Sequence, residues 1–457
     1  MIRILLCFFA LAAAAAAERP NIIVLFADDA GYADFGFQEK PDPAMAKLTP
    51  HIDSLAASGL RFTDAYVSGA VCSPSRAGLL TGRYQQRFGH ELNIPPGYMD
   101  GGMSLDERTI ADRLRAAGYA TGLIGKWHLG YPEPYQPNKR GFDYFYGLLQ
   151  GSRSYFPYDK PHAHRVLQEN GEPTPETGYV TDRIGEGAVR FIRDHKAKPF
   201  FLYVAFTSPH GPLQAKPEDL KACAGIADKK RRTYAAMVKA MDDNIGRILK
   251  ALDDAGIAEN TLVVFTNDNG GQTLTGAVNT PLQGRKGQLW EGGIRVPMCL
   301  RWPVAVKAPG RSVADPVITL DFLPTFLAAA GAEVDPAWKL DGTSLLPVIK
   351  GEAEALPPRT IYWRNQGSGG PVAARRGQWK LVSQGDPKGA RTLRLYDLTA
   401  DIGEANDLAA EQPEVAKSLA AEIAAWEGEL IEPLWGAGAG KAKPDAGSKP
   451  KKRKKAE

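Results

Sequence analysis

Cysteine is scarce, with four in 457 residues, at positions 7, 72, 223 and 299. So few thiols build no disulfide framework even in an oxidising compartment, and stability has to come from an ordinary core. A hydrophobic content of 44% supplies one amply. No apolar run reaches the roughly 20 residues of a membrane span, so a transmembrane segment is excluded. None of the eleven asparagines starts an N-x-Ser/Thr triplet. An exported eukaryotic chain of this size would carry such an acceptor, and its absence points to a bacterial periplasmic or secreted protein. Charge of one sign is missing from the body as well. The formal +4 comes from the stretch 436–457, where eight Lys and Arg face only Asp445 and Glu457. That tail alone is +6, which leaves −2 for everything before it, so no nucleic-acid-binding face is indicated.

What is present begins with a leader. Residues 1–18 carry Arg3, an apolar run from Ile4 to Leu11 and an alanine tract with A-x-A sites, the pattern of a signal peptide. The length then suggests a large domain, 19–350, a smaller one, 351–435, and the basic tail, 436–457. The tail is rich in Gly, Ala, Pro and Lys and reads as a solvated, disordered end. Tethering to an acidic polysaccharide is the alternative.

Between residues 19 and 350 apolar runs alternate with helical spacing, which predicts an α/β fold with a large, mostly parallel sheet covered on both faces. Four runs each hand over to a polar cluster. NIIVLF (21–26) leads to Asp28-Asp29, and 120–124 leads to Lys126 and His128. The run 200–206 precedes SPHGP with His210, and TLVVFT (261–266) precedes Asn267-Asp268-Asn269-Gly270. Ligands bind beyond the carboxyl ends of strands in such sheets, so the clusters should meet at one mouth although they span about 240 residues. Helices are expected at 51–58, 109–117, 179–195 and 231–255. Past residue 351 three short antiparallel strands, 360–364, 378–383 and 394–398, and an amphipathic helix, 413–430, suggest a separate small sheet.

Asp28-Asp29 before Gly31 and Asp268-Asn269 before Gly270 are three carboxylates and an amide, a hard oxygen set suited to Ca²⁺ or Mg²⁺ and not to zinc. A lone Asp-Asp is an ordinary solvated turn; two such sets, each after a strand, read as ligands. Cys72 by itself reads as a buried small hydrophobe, but it stands in VCSPSRAGLLTGR (71–83).

That stretch closely resembles the signature of the type I, formylglycine-dependent sulfatases of the alkaline phosphatase superfamily. GFDYFYG, YVTDRIGEGAVRFI and PLQGRKGQLWEGGIRVP resemble its arylsulfatase B and N-acetylgalactosamine sulfatase side, and YDLTADIGEANDLA resembles the family's C-terminal sheet-and-helix segment. The resemblance covers about residues 19–430. It implies that a formylglycine-generating or sulfatase-maturating enzyme converts Cys72 to an aldehyde whose hydrate is the nucleophile. It also implies one divalent ion, usually calcium, held by Asp28, Asp29, Asp268 and Asn269 and completed by an oxygen at position 72. Further roles follow from matching motifs. Arg76 orients the nucleophile, and Lys126 and Lys286 grip the sulfate. His128 contacts the formylglycine hydroxyl and acts as base, and His210 protonates the departing alcohol. Sulfate esters are anionic, and charge moves onto the bridging oxygen as the S–O bond breaks, so fixed cations and an acid are what the chemistry requires. A serine at position 72 would be left as a sulfate ester needing a second attack at sulfur. A gem-diol has a spare hydroxyl whose deprotonation expels sulfate by C–O cleavage.

The implied substrate is a sulfated polysaccharide or oligosaccharide. A phosphomonoester or phosphonate hydrolase of the same superfamily is the alternative, although phosphatases there use Ser or Thr in place of Cys72. A sulfated-glycan-binding protein without turnover is the other, if Cys72 stays a thiol. Ser152 or Ser154 could add a hydrogen bond to sulfate. Arg153, His90, His162 and His164 lie in segments resembling substrate-facing loops, with no role fixed, and His51, His195 and Cys299 read as structural.

Overall fold

The computed structural model describes residues 19–160, 164–385 and 391–436. The leader 1–18, His162 and the tail from 437 onward lie outside the described residues. Four strands and one helix position the functional residues other than Lys286, which comes from the loop before the short helix Glu291–Ile294: β1 (Asn21–Ala27), α1 (Cys72–Thr81), β2 (Ala120–Lys126), β3 (Phe200–Ala205) and β4 (Thr261–Asn267). The four strands are neighbours in a ten-stranded sheet, in the order β2-β3-β1-β4, and all pair in parallel. Their carboxyl ends therefore share one edge. Beyond β4 the sheet turns mixed, because Met298–Arg301 pairs antiparallel with β4 and with Leu60–Phe62.

Successive side chains of a strand point to opposite faces. Ile22, Val24 and Phe26 of β1 join one apolar cluster, while Ile23, Leu25 and Ala27 join another. Phe201 and Tyr203 of β3 likewise separate from Leu202 and Val204. Both faces are buried under helices, which is why the strands read as continuous apolar runs without alternation. One cover contains α1 and Ile110–Ala116; the other contains Pro50–Ala57, Val180–His195 and the long Lys229–Asp254. Thr109 starts its helix with a reciprocal capping box with Asp112.

The second sheet has four antiparallel strands, Thr360–Arg364, Val372–Arg376, Trp379–Ser383 and Arg394–Asp397. Val372–Arg376 was not expected. Its two arginines break the apolar pattern, but Arg375 is buried and pairs with Asp64 and the Tyr66 hydroxyl. Helix Pro413–Glu427 covers one face through Leu419 and Ile423. The other face packs on Tyr66, Leu289 and Ile294. A buried ionic set crosses this junction: Lys380 Nζ lies 2.8 Å from both Glu291 and Glu404. Cys72, Cys223 and Cys299 are buried free thiols. Among the described residues no helix is long and apolar enough to cross a membrane.

Candidate active site

β1 ends at Ala27, and Asp29 adopts a left-handed backbone (φ 70°) that a non-glycine residue rarely takes. Neighbouring loops hold it there. Its N–H donates to Asp268 Oδ1 (3.1 Å), and Ala30 exchanges hydrogen bonds with the Asn267 amide (3.2 and 2.7 Å). At the end of β2, His128 is left-handed too (φ 62°). Its N–H donates to Leu149 O (3.0 Å), and its carbonyl accepts from Ser73 Oγ (2.7 Å). Two such residues at one sheet edge mark backbone conformations that the surroundings impose. Gly151 is required beside them, since a Cβ there would lie 2.5 Å from the His128 ring.

Cys72 is the first residue of α1, and all ten residues of that helix are buried. Asn93 Oδ1 accepts the Ser73 N–H (2.9 Å) at its open end, and Gly82 closes it with φ 65°. The helix thus delivers Cys72 and the positive end of its dipole to the strand ends.

Opposite charges interleave around the sulfur. Lys126 Nζ is 2.7 Å from Asp28, and Lys286 Nζ is 2.6 Å from Asp29. Arg76 Nη2 is 2.8 Å from Asp268 and 3.7 Å from Asp28. Lys286 Nζ also donates to Cys72 Sγ (3.2 Å), which lies 3.6 Å from Asp28. Burial is the largest influence throughout, and the neighbours decide the outcome. Burial and Asp268 hold the Asp28 carboxyl above its usual range. Asp268 stays well below, since Arg76 and Lys126 outweigh its burial. Asp29 is lowered because Lys286 and His210 do the same. Burial, then Lys126 and Arg76, press His128 far below the ordinary imidazole value, so its ring is neutral. Burial, then Asp268, push the Cys72 thiol up to about 12. An unmodified Cys72 is therefore a protonated thiol and not the activated thiolate of a cysteine hydrolase.

The donor set fits a hard divalent cation. Candidate ligand atoms of Asp28, Asp29, Cys72 and His210 all lie within 4.8 Å of one another. Asn269 Nδ2 donates to Asp29 Oδ1 (2.8 Å), while its buried Oδ1 has no hydrogen-bond partner. An orphaned carbonyl oxygen beside carboxylates is what an oxygen-seeking ion would satisfy. Asp268 stands next to this group, its oxygens taken by the Asp29 N–H and Arg76. His210 sits at the mouth. Its Nδ1–H donates to Gly211 O (2.6 Å), and Nε2 lies 3.6 Å from Asp29.

A cavity of about 200 Å³ opens over Cys72, His128 and His210. Ser152 lines it, whereas Ser154 Oγ turns to Gln214 (3.0 Å). Arg153 is buried and clamped by Glu176 (3.0 and 2.5 Å). His90 is buried, with Nε2 2.6 Å from Ser73 Oγ. His195 stacks on Phe191, and His51 is exposed. Asn93, Tyr131, Gln150 and Arg165 also line the cavity, although no motif singles them out.

An open α/β sheet whose strand ends gather interleaved lysines, arginine and carboxylates over a small cavity defines a hydrolase of anionic esters. The comparisons narrow this. Residues 20–332 match the Sulfatase family model, and residues 285–428 match the model N-sulphoglucosamine sulphohydrolase, C-terminal. The chain is 35% identical over 453 residues to arylsulfatase A of Bos taurus, covering 88% of this chain and 86% of that one. It is 33% identical over 389 residues to arylsulfatase J of Mus musculus, covering 82% of this chain and 63% of that one. Among solved structures it resembles Ps i-CgsB in complex with k-i-k-neocarrahexaose, with TM-score 0.85, 38% identity and coverage of 92% and 95%. The chain belongs to the sulfatase family, and its relatives make it a sulfuric ester hydrolase.

Proposed function

We propose that the protein removes sulfate from a sulfated polysaccharide or oligosaccharide, with a nucleophile made from Cys72. The observation that carries this reading is the buried Cys72 sulfur at a helix start, with Lys286 on it and Arg76, Lys126, Asp28 and Asp268 around it. Conversion of Cys72 to formylglycine by a maturating enzyme supplies the hydroxyls that the protonated thiol lacks. Asp28, Asp29, Asp268 and Asn269 would hold Ca²⁺, or Mg²⁺, which supplies positive charge opposite the sulfuryl oxygens. Lys126 and Lys286 grip those oxygens, and Arg76 orients position 72 while anchoring Asp268. His128, neutral at working pH, accepts a proton from the residue-72 hydroxyl. His210 has its Nδ1–H committed to a carbonyl, so in the imidazolium form it is Nε2–H that gives its proton to the departing sugar oxygen, leaving the neutral ring with its proton on Nδ1. Ser152, on the cavity wall, is the better placed of the two loop serines for a sulfate contact.

The carbohydrate substrate is supported by Ps i-CgsB, whose structure holds a neocarrahexaose. Export to the periplasm or medium, with 1–18 as the signal peptide, belongs to the same proposal. So do the units 19–350 and 351–435. Turnover of nitrophenyl sulfate against nitrophenyl phosphate, with mass spectrometry of the Cys72 peptide, tests the reading. Sulfate release and an aldehyde at position 72 are expected. Phosphate release in its place would move the protein to the phosphomonoesterases, and an intact thiol without turnover to the glycan binders.

A further inference from the structure

We propose that a second anionic subsite, centred on Arg165, lies beside the reaction centre and takes a sulfate ester or carboxylate on the sugar adjoining the one cleaved. This rests on the sulfatase reading above and deepens it to a substrate with at least two neighbouring anions.

A second cavity, of about 280 Å³, lies beside the one over Cys72. Pro96, Gln150 and Arg165 line both chambers. The second chamber is the larger, which leaves room beside the reaction centre for an adjoining sugar.

Arg165 stands at the junction and is half-buried. Its Nε–H donates to Gln150 Oε1 (3.1 Å), which sets the plane of the guanidinium. The Gln150 N–H in turn donates to His164 O (2.9 Å), and the His164 ring stacks on Tyr131 (4.9 Å, 22°). The segment bearing Arg165 is thus fastened to the cavity wall on two sides. Among the described residues no carboxylate pairs with Arg165 or with Lys160, the cation farther along the second chamber. Arg153, from the same loop region, shows the contrast, since Glu176 neutralises it within the protein. A half-buried guanidinium tethered through its Nε–H, with no carboxylate partner among the described residues, suits a planar or tetrahedral anion, which it can bind through its two terminal nitrogens. Nothing in the ester chemistry uses Arg165 or Lys160. Their charge serves recognition of the neighbouring sugar.

The test compares three oligosaccharides of one chain length: one with a single sulfate, one with a further sulfate on the adjoining sugar, and one with a uronate there instead. The wild-type enzyme should show kcat/KM about tenfold or more higher for a doubly anionic substrate, the scale of one charge-assisted hydrogen-bonded pair. The two doubly anionic arms tell sulfate from carboxylate. Arg165→Ala should collapse the preference toward unity through KM, and Arg165→Lys should restore part of it. A wild-type ratio near one, or a ratio that survives Arg165→Ala, overturns the subsite. Calorimetric binding of the same three oligosaccharides to Cys72→Ala, with and without Arg165→Ala, reads the subsite without turnover. If no ester is hydrolysed while the Arg165-dependent binding preference persists, the sulfatase reading fails and the subsite stands.

Discussion

Lys126 Nζ lies 2.7 Å from Asp28 Oδ2, and neither side chain has exposed surface. A cation assigned to the ester and a carboxylate assigned to the metal are therefore one buried pair, so each should report on the other.

Lys126→Ala leaves Asp28 buried beside Asp268 with less compensation. Losing one partner of a buried pair costs about 3–5 kcal/mol, and losing a cation aimed at the reacting anion costs about a hundredfold or more in kcat/KM. Added calcium should raise the melting temperature of the variant more than that of the wild type, without restoring turnover. Equal calcium shifts in both proteins would remove Asp28 from the cation site.

His210→Ala should show its role through the leaving group. A sugar alkoxide needs protonation as it departs and nitrophenolate scarcely does, so turnover of a sugar sulfate should fall about a hundredfold or more while nitrophenyl sulfate loses far less. Equal losses on the two substrates would argue that His210 acts elsewhere.

His90 makes a prediction about acid. Burial, then Arg140, push its pKa down to about 3, against an ordinary 6.5. The unfolded chain takes up a proton below pH 6.5 that the folded chain refuses until about pH 3. The contribution is fully present above pH 6.5 and is lost as pH falls toward 3, on the order of 5 kcal/mol. Urea unfolding of His90→Gln, which keeps a partner for Ser73, should depend less steeply on pH in that window. Superimposable pH profiles would contradict this.

Lys380→Met strands two buried carboxylates at the junction of the sheets. Lys380 lies 2.8 Å from each; burial, with Glu291 beside it, pushes Glu404 up to about 7 against the pull of Lys380, whereas at Glu291 burial is outweighed by Lys380, Arg295 and Arg375, which hold it down to about 2. The variant should lose about 3–5 kcal/mol of stability, and adding Glu404→Gln should return part of it. An unfolding midpoint that the single substitution leaves in place would show that the network carries no net stabilisation.

Much of this molecule could be read from its residues. The sheet was legible because β1, β3 and β4 are buried on both faces and so appear as unbroken apolar runs. The strand-end clusters followed from where such sheets bind ligands, and the structure gathers Asp28, Asp29, Lys126, His210 and Asp268 at one edge. Other features depend on partners distant in sequence. Val372–Arg376 is a strand whose arginine finds Asp64 and Tyr66 some 300 positions earlier. Arg153 and Arg165 look alike in the chain, yet among the described residues only the first has a carboxylate folded against it. Asn93 and Gln150 matter through one amide each, a signal too small for any motif.

The 240 positions separating Asp29 from Asn269 have a kinetic meaning. A chain still emerging, or one refolding with β4 undocked, holds the sulfur and two acidic groups but lacks Asp268 and Asn269. Loops this long close late, because their entropy has to be met before any contact rewards it. Recovery of turnover should therefore trail the recovery of helical signal, with no active intermediate, and activity doubles as a gauge of completed folding.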